Sequence, residues 1–208
     1  SKGNANTSRG DGLLNFQTPR IDENPDKFTY DPADPVMSLM GEDTQHAPCD
    51  QSPLDGRQDI LVYKTLPLIE DLLVVGPVTM NLWVSSNALD TDFVVKLIEI
   101  GLDGIGVNLS FGIIRARYRN GVGTDEFLQK DEPYPLAIEL MPVGIHFRKG
   151  SRIRIDVTSS DFPNFDRNHN TGEDYWKDHE LKIANQMVFH DKAKPSYIVL
   201  PIVKNECF

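Results

Sequence analysis

Apolar and polar residues alternate with a period of two along much of this chain, which predicts β-strands rather than helices. Val78, Met80, Leu82 and Val84 alternate with Thr79, Asn81, Trp83 and Ser85, as expected of a strand with one buried face. The run from Phe93 to Ile100 is almost continuously apolar and β-branched, broken only by Lys96 and Glu99, which suits a more deeply buried strand. In the stretch 151–172, Ile153, Ile155 and Val157 point one way and Arg152, Arg154 and Asp156 the other, again predicting one buried face. Further strands are expected at about 112–119, 134–140, 184–190 and 196–203, and weak helical character only at Glu173 to Asn185.

The turns between these runs are rich in Asn, Asp and Gly, as at Asn87 to Thr91, Asp103-Gly104 and Asn120-Gly121. Their spacing suits an all-β antiparallel sandwich or jelly roll better than βαβ units. Residues 1–58 are different. Asn24-Pro25, Asp31-Pro32, Asp34-Pro35 and Ala47-Pro48 punctuate them, each proline holding the preceding residue out of the helical region. They read as an extended, turn-rich N-terminal arm wrapping the sandwich, and no linker divides residues 1–208 into further domains.

Composition narrows the function classes. A hydrophobic content of 39% over 208 residues supplies a core. The formal charge of -10 and pI near 4.9 argue against nucleic acid or an anionic membrane as partner. No apolar run approaches the roughly 20 residues that span a bilayer. Cys49 and Cys207 stand at opposite ends of the sequence, which is no disulfide framework and suits a reducing, cytoplasmic compartment.

Motifs for catalysis fail on inspection. Asn108-Leu109-Ser110-Phe111-Gly112 has Asn where a nucleophile elbow needs its first Gly. Gly101 to Gly106 departs from GxGxxG and reads as a hairpin turn. The histidines His46, His146, His169, His179 and His190 show no zinc-ligand spacing, so no cofactor is expected. Asp166, Asn168 and Asn170 alternate like the start of a calcium loop. Against calcium, Gly172 falls one position late and Lys177 stands where a bidentate Glu belongs; Asx capping of a turn is the competing reading.

Other features have two readings each. Asp90 and Asp92 are either an acid–base pair or the end of a turn, the latter being preferred. Arg115, Arg117 and Arg119 alternate on a predicted strand face, as a surface ladder paired with carboxylates or as an interface for a homo-oligomer. Trp83, Tyr118 and Trp176 are either core aromatics or a sugar-stacking set.

The segments DPADPV (31–36), CDQSPLDGRQDILVYKTLPLIEDLLVVGPVTMNLWVSS (49–86), DTDFVVKLIEI (90–100), FGIIRARYRNG (111–121), FRKGSRIRIDVTSSDFPNFDRNHNTG (147–172) and HDKAKPSYIVLPIV (190–203) resemble the C-terminal domain of the CocE/NonD hydrolases. That group spans ester hydrolases and X-Pro dipeptidyl-peptidases. The resemblance implies a galactose-binding-like jelly roll that carries no catalytic residue and packs on the hydrolase and cap domains of its parent protein. It also implies that Ser38 to Pro48 reaches over the hydrolase domain, with Met40, Gln45 and His46 as candidate substrate contacts. Phe162, Pro163, Phe165, Asp166, Asn168 and Asn170 become a structural loop that pins the sandwich to itself or to a neighbouring domain. The alternative function is a free-standing carbohydrate- or ligand-binding module.

Overall fold

The computed structural model describes residues 1–39, 49–174 and 176–203. Two antiparallel sheets face each other. The strands are β1 (Asp26–Tyr30), β2 (Leu61–Lys64), β3 (Leu72–Ser86), β4 (Asp92–Ile100), β5 (Gly106–Arg115), β6 (Tyr134–Phe147), β7 (Arg152–Thr158), β8 (Ala184–Phe189) and β9 (Tyr197–Val199). One sheet has the order β2-β7-β4-β5; the other runs β1-β8-β3-β6, with β9 also pairing with β3. No α-helix occurs among the described residues, so the expected all-β sandwich is the fold.

The alternation in β3 buries Val78, Met80, Leu82 and Val84 against Phe93, Val95 and Leu97 of β4 and Ile153, Ile155 and Val157 of β7. Removing such side chains from water is the main favourable term in forming the sandwich. Gly101 to Ile105 is the hairpin turn expected, closed by the Gly101 amide on the Ile105 carbonyl at 2.9 Å, with β4 and β5 pairing on either side. Gly112 has a specific steric role. A Cβ there would lie 2.3 Å from the Glu139 carbonyl oxygen of β6, so the two sheets approach each other at that point only because the side chain is absent.

Four expectations need correction. β5 begins at Gly106 and ends at Arg115, after which Ala116–Tyr118 form a 3₁₀ turn; Arg115, Arg117 and Arg119 therefore do not share a strand face. Glu173 to Asn185 shows no helix among its described residues, and β8 starts at Ala184. The arm contains a strand that its proline-rich flanks hid: in Asp26–Tyr30, Asp26, Phe28 and Tyr30 are buried, and the strand pairs with β8. Lastly, β7 is buried on both faces, because Arg154 and Asp156 are 3% and 2% exposed. The arm meets the polar face of β7 where Asp55 binds Arg154 at 2.7 Å, and a second apolar cluster joins Val36, Leu39 and Leu54 of the arm to Ile60 and Val62.

Candidate functional site

The loop 159–172 leaves the C-terminal end of β7 and is held down almost atom by atom. Asp161 forms an ion pair of 2.6 Å with Lys96 of β4, both side chains being buried. Lys96 also lies 3.4 Å from the Gln51 side-chain oxygen. Beside it, Arg154 binds Asp156 at 2.7 Å and Asp55 of the arm at 2.7 Å. These charges sit on the outer face of the four-stranded sheet, and in that dry setting each requires its partner. Sequence reading missed this cluster. Its signal was Lys96 interrupting an apolar run, a pattern that looks the same whether the lysine meets solvent or a buried carboxylate.

The loop then meets the arm. The Val36 amide donates to Ser160 Oγ at 2.8 Å, the Phe162 amide to the Val36 carbonyl at 2.9 Å, and the Ser38 amide to the Phe162 carbonyl at 2.7 Å. The Phe162-Pro163 peptide is cis. Phe165 packs edge-on to Phe111 of β5, with centroids 5.9 Å apart, and the Arg167 guanidinium lies 5.9 Å over the Phe162 ring. A corner results in which residues 36–39 and 160–165 run side by side. Met37, bridged to Phe162, is 45% exposed.

Beyond the corner the polar residues disperse to separate partners. Asp166 meets Arg115 at 3.2 Å. The Asn168 amide donates to Asp90 at 3.0 Å and Asp92 at 2.8 Å, while its oxygen accepts the Asn170 amide N–H at 2.9 Å. Asn170, at φ +65°, donates from its side chain to the Lys182 carbonyl at 2.6 Å. The three side chains thus do not converge on one point, as calcium ligands must. Only Asn168 caps a turn of its own backbone, through the Asn170 N–H; Asp166 and Asn170 reach Arg115 and the Lys182 carbonyl instead.

Asp90 and Asp92 are occupied in the same way. Arg117 Nε lies 2.8 Å from Asp90, and Arg115 holds Asp92 through two bonds of 2.9 Å each. Burial pushes the Asp92 carboxyl above its ordinary value against the pull of Arg115. Both carboxylates are thus held by donors from within the chain. Arg115 and Arg117 are likewise spent within the chain, which removes them as an interface stripe.

The remaining candidates are scattered. Ser110 sits inside β5 and donates to the Met141 carbonyl at 2.7 Å, with no strand-to-helix elbow around it. Trp83 is on β3, Tyr118 in the 3₁₀ turn, and Trp176, 78% exposed, in the loop before β8. Met40, Gln45 and His46 lie outside the described residues. The flanks of that segment are fixed: Leu39 packs on the second apolar cluster, and the Cys49 carbonyl accepts the Asn108 amide at 3.0 Å. Among the described residues no group of three or more His, Cys, Asp or Glu is placed to hold a metal, and no helix is long and apolar enough to cross a membrane.

Comparison with known proteins gives this geometry its context. Residues 5–199 match the model of the X-Pro dipeptidyl-peptidase C-terminal non-catalytic domain. The chain is 39% identical to the cocaine esterase of Rhodococcus sp. (strain MB1 Bresler) over 208 residues, covering 97% of this chain and 36% of that protein. Among solved structures, it resembles an α-amino acid ester hydrolase with a TM-score of 0.85 at 30% identity, covering 98% of this chain and 36% of that one. An aminopeptidase from a marine sediment archaeon, Thaumarchaeota archaeon, gives a TM-score of 0.84 at 30% identity, with 97% and 36% covered. This chain therefore spans about a third of the length of the relatives it matches, and the family's domain is a non-catalytic one. The chain belongs to the X-Pro dipeptidyl-peptidase C-terminal non-catalytic domain family, the C-terminal domain of CocE/NonD-type hydrolases.

Proposed function

We propose that this chain is the accessory domain of a serine hydrolase acting on ester or peptide bonds, docked on that protein's catalytic and cap domains through the corner formed by residues 36–39 and 160–165. The observation that carries the proposal is the construction of the corner. Buried ion pairs and backbone hydrogen bonds fix its shape, yet Met37 is left 45% exposed beside Phe162, an arrangement that favours a preorganised contact over a mobile one. Leu39 packs on the second apolar cluster and Cys49 bonds to β5, and Met40, Gln45 and His46, between them in sequence, are proposed to contribute to the acyl side of the pocket. Phe162, Pro163 and Phe165 hold the platform, Asn168 completes its turn, and Asp166 and Asn170 tie it to Arg115 and the Lys182 carbonyl. The names of the relatives, an esterase, an ester hydrolase and an aminopeptidase, support hydrolysis as the parent chemistry. The separation of Cys49 and Cys207 fits a reducing, cytoplasmic location.

Assaying this chain alone and the full parent protein with p-nitrophenyl esters and amino-acid p-nitroanilides tests the reading. The expected result is no turnover by the chain and serine-dependent turnover by the parent, with Gln45→Ala and His46→Ala in the parent altering KM more than kcat. Serine-dependent turnover by this chain alone would overturn it.

A further inference from the structure

A cavity of about 950 Å³ opens between the two sheets on the side opposite the Gly112 contact, where β2, β3, β7 and β9 border it. Its floor is core: Met80, Leu82 and Ile155 line it and are 4%, 1% and 1% exposed. Its cover is a strap of the arm. The strap is pinned at one end to β2, where the Lys64 amide donates to the Gly12 carbonyl at 3.1 Å and the Leu14 amide to the Lys64 carbonyl at 2.9 Å. At the other end the Lys192 amide holds the Ile21 carbonyl at 3.1 Å. Between the pins, among the described residues, 15–20 make only the local bond from the Gln17 amide to the Asn15 side chain. Phe16, at the middle of the strap, lines the cavity and is 77% exposed.

The charges at the rim are unequal. Glu23 and His190 line the cavity but are engaged with each other at 3.0 Å, and His190 also meets Asp26 at 3.0 Å. Arg20 lines it too and is exposed; in a chain of net charge -10 it has no ion pair or hydrogen bond among the described residues. We infer that the cavity is a binding site for an amphipathic carboxylate, an alkyl or aryl acid whose apolar body lies beneath the strap against the edge of the core and whose carboxylate meets Arg20. A volume near the upper end of the range for small-molecule sites, an apolar floor and a rim cation not already engaged by the chain are the features such a site needs. The strap is tethered at two points and unbonded between them, so it lifts without disturbing either sheet. The inference is independent of the hydrolase reading.

Titrating the 208-residue chain with laurate below its micellar concentration, by isothermal calorimetry, tests it directly. Saturable one-to-one binding is expected, weakened about three- to five-fold by Arg20→Ala, as for an exposed charge pair, with dodecyltrimethylammonium binding more weakly than laurate. Met80→Trp, which fills the floor, should abolish binding. Should that variant misfold by circular dichroism, Phe16→Asp on the exposed strap takes its place and should weaken binding by at least as much as Arg20→Ala. Absence of saturable heat, equal affinity for the cationic amphiphile, or laurate affinity unchanged by both Arg20→Ala and Phe16→Asp would each overturn the inference.

Discussion

The two sheets treat their outer faces in opposite ways. On the four-stranded sheet, β4 and β7 direct Lys96, Arg154 and Asp156 outward, and the chain's own arm buries all three to 3% exposure or less. On the five-stranded sheet, Val75, Met141, Tyr197 and Val199 stay between 49% and 58% exposed, with no covering segment of comparable extent among the described residues. Apolar residues thus face solvent on one side while charges are sealed on the other. A charge sealed in this way needs a specific partner, whereas an apolar side chain is satisfied by any apolar neighbour. Asp55, Asp161 and Gln51 supply those partners from the arm and from the loop after β7. The ion pairs therefore define how the arm and the loop must lie, and the corner at 36–39 and 160–165 inherits that definition.

Replacing Lys96 should break this comparison most severely. Lys96→Ala leaves Asp161 buried without its cation and should cost about 3–5 kcal/mol in urea unfolding, the range for removing one partner of a buried pair. Met141→Ala on the other sheet should fall within about 0.5 kcal/mol. Similar costs for the two would show that the outer face of the four-stranded sheet is not sealed. Gly112→Ala probes the contact between the sheets. Its added Cβ would stand 2.3 Å from a backbone oxygen, so a loss of about 2 kcal/mol is expected, within the range for overpacking, and an unchanged midpoint would contradict the close approach.

Much of this architecture was legible in the sequence, for a physical reason. β3 follows the two-residue period because one side of it faces the inter-sheet core, β4 is continuously apolar because both its faces are buried, and the turn at Gly101 to Ile105 carries glycines where the hairpin closes. The period does not record what covers the second face. Arg154 and Asp156 in β7 read as solvent-facing, since alternation looks the same under an arm as under water. β1 was hidden by its proline-rich flanks and also because its buried set includes the carboxylate of Asp26, which accepts from the Tyr63 hydroxyl at 2.9 Å and from Ser1 Oγ at 2.6 Å. Of the candidate site, the loop 162–170 was visible through its unusual composition, but Arg115 and Asp90, the partners of Asp166 and Asn168, lie 51 and 78 residues away in sequence and no local pattern names them.

Asp26 sharpens the comparison through pH. Burial alone would raise its carboxyl, but hydrogen bonds from His190, Ser1 and Tyr63 outweigh burial and hold it below the ordinary value of 3.8. A carboxyl depressed in the folded state stabilises above its unfolded pKa, and that contribution is lost as pH falls through the folded value. Melting temperature should therefore drop more steeply below about pH 4 for the unmodified chain than for Asp26→Asn; parallel curves would remove Asp26 from the account. The smallest effect belongs to the uncovered sheet, where Tyr197→Ala should shift stability by no more than about 0.5 kcal/mol.

The central claim is that the chain meets the rest of its parent protein through the corner and not through the five-stranded sheet. Met37 and Met141 are 45% and 58% exposed on opposite sides of the sandwich, a matched pair of probes. Hydroxyl-radical footprinting of this chain and of the full parent protein should show Met37 protected in the parent while Met141 oxidises equally in both. Protection of Met141 with Met37 unchanged would contradict the account.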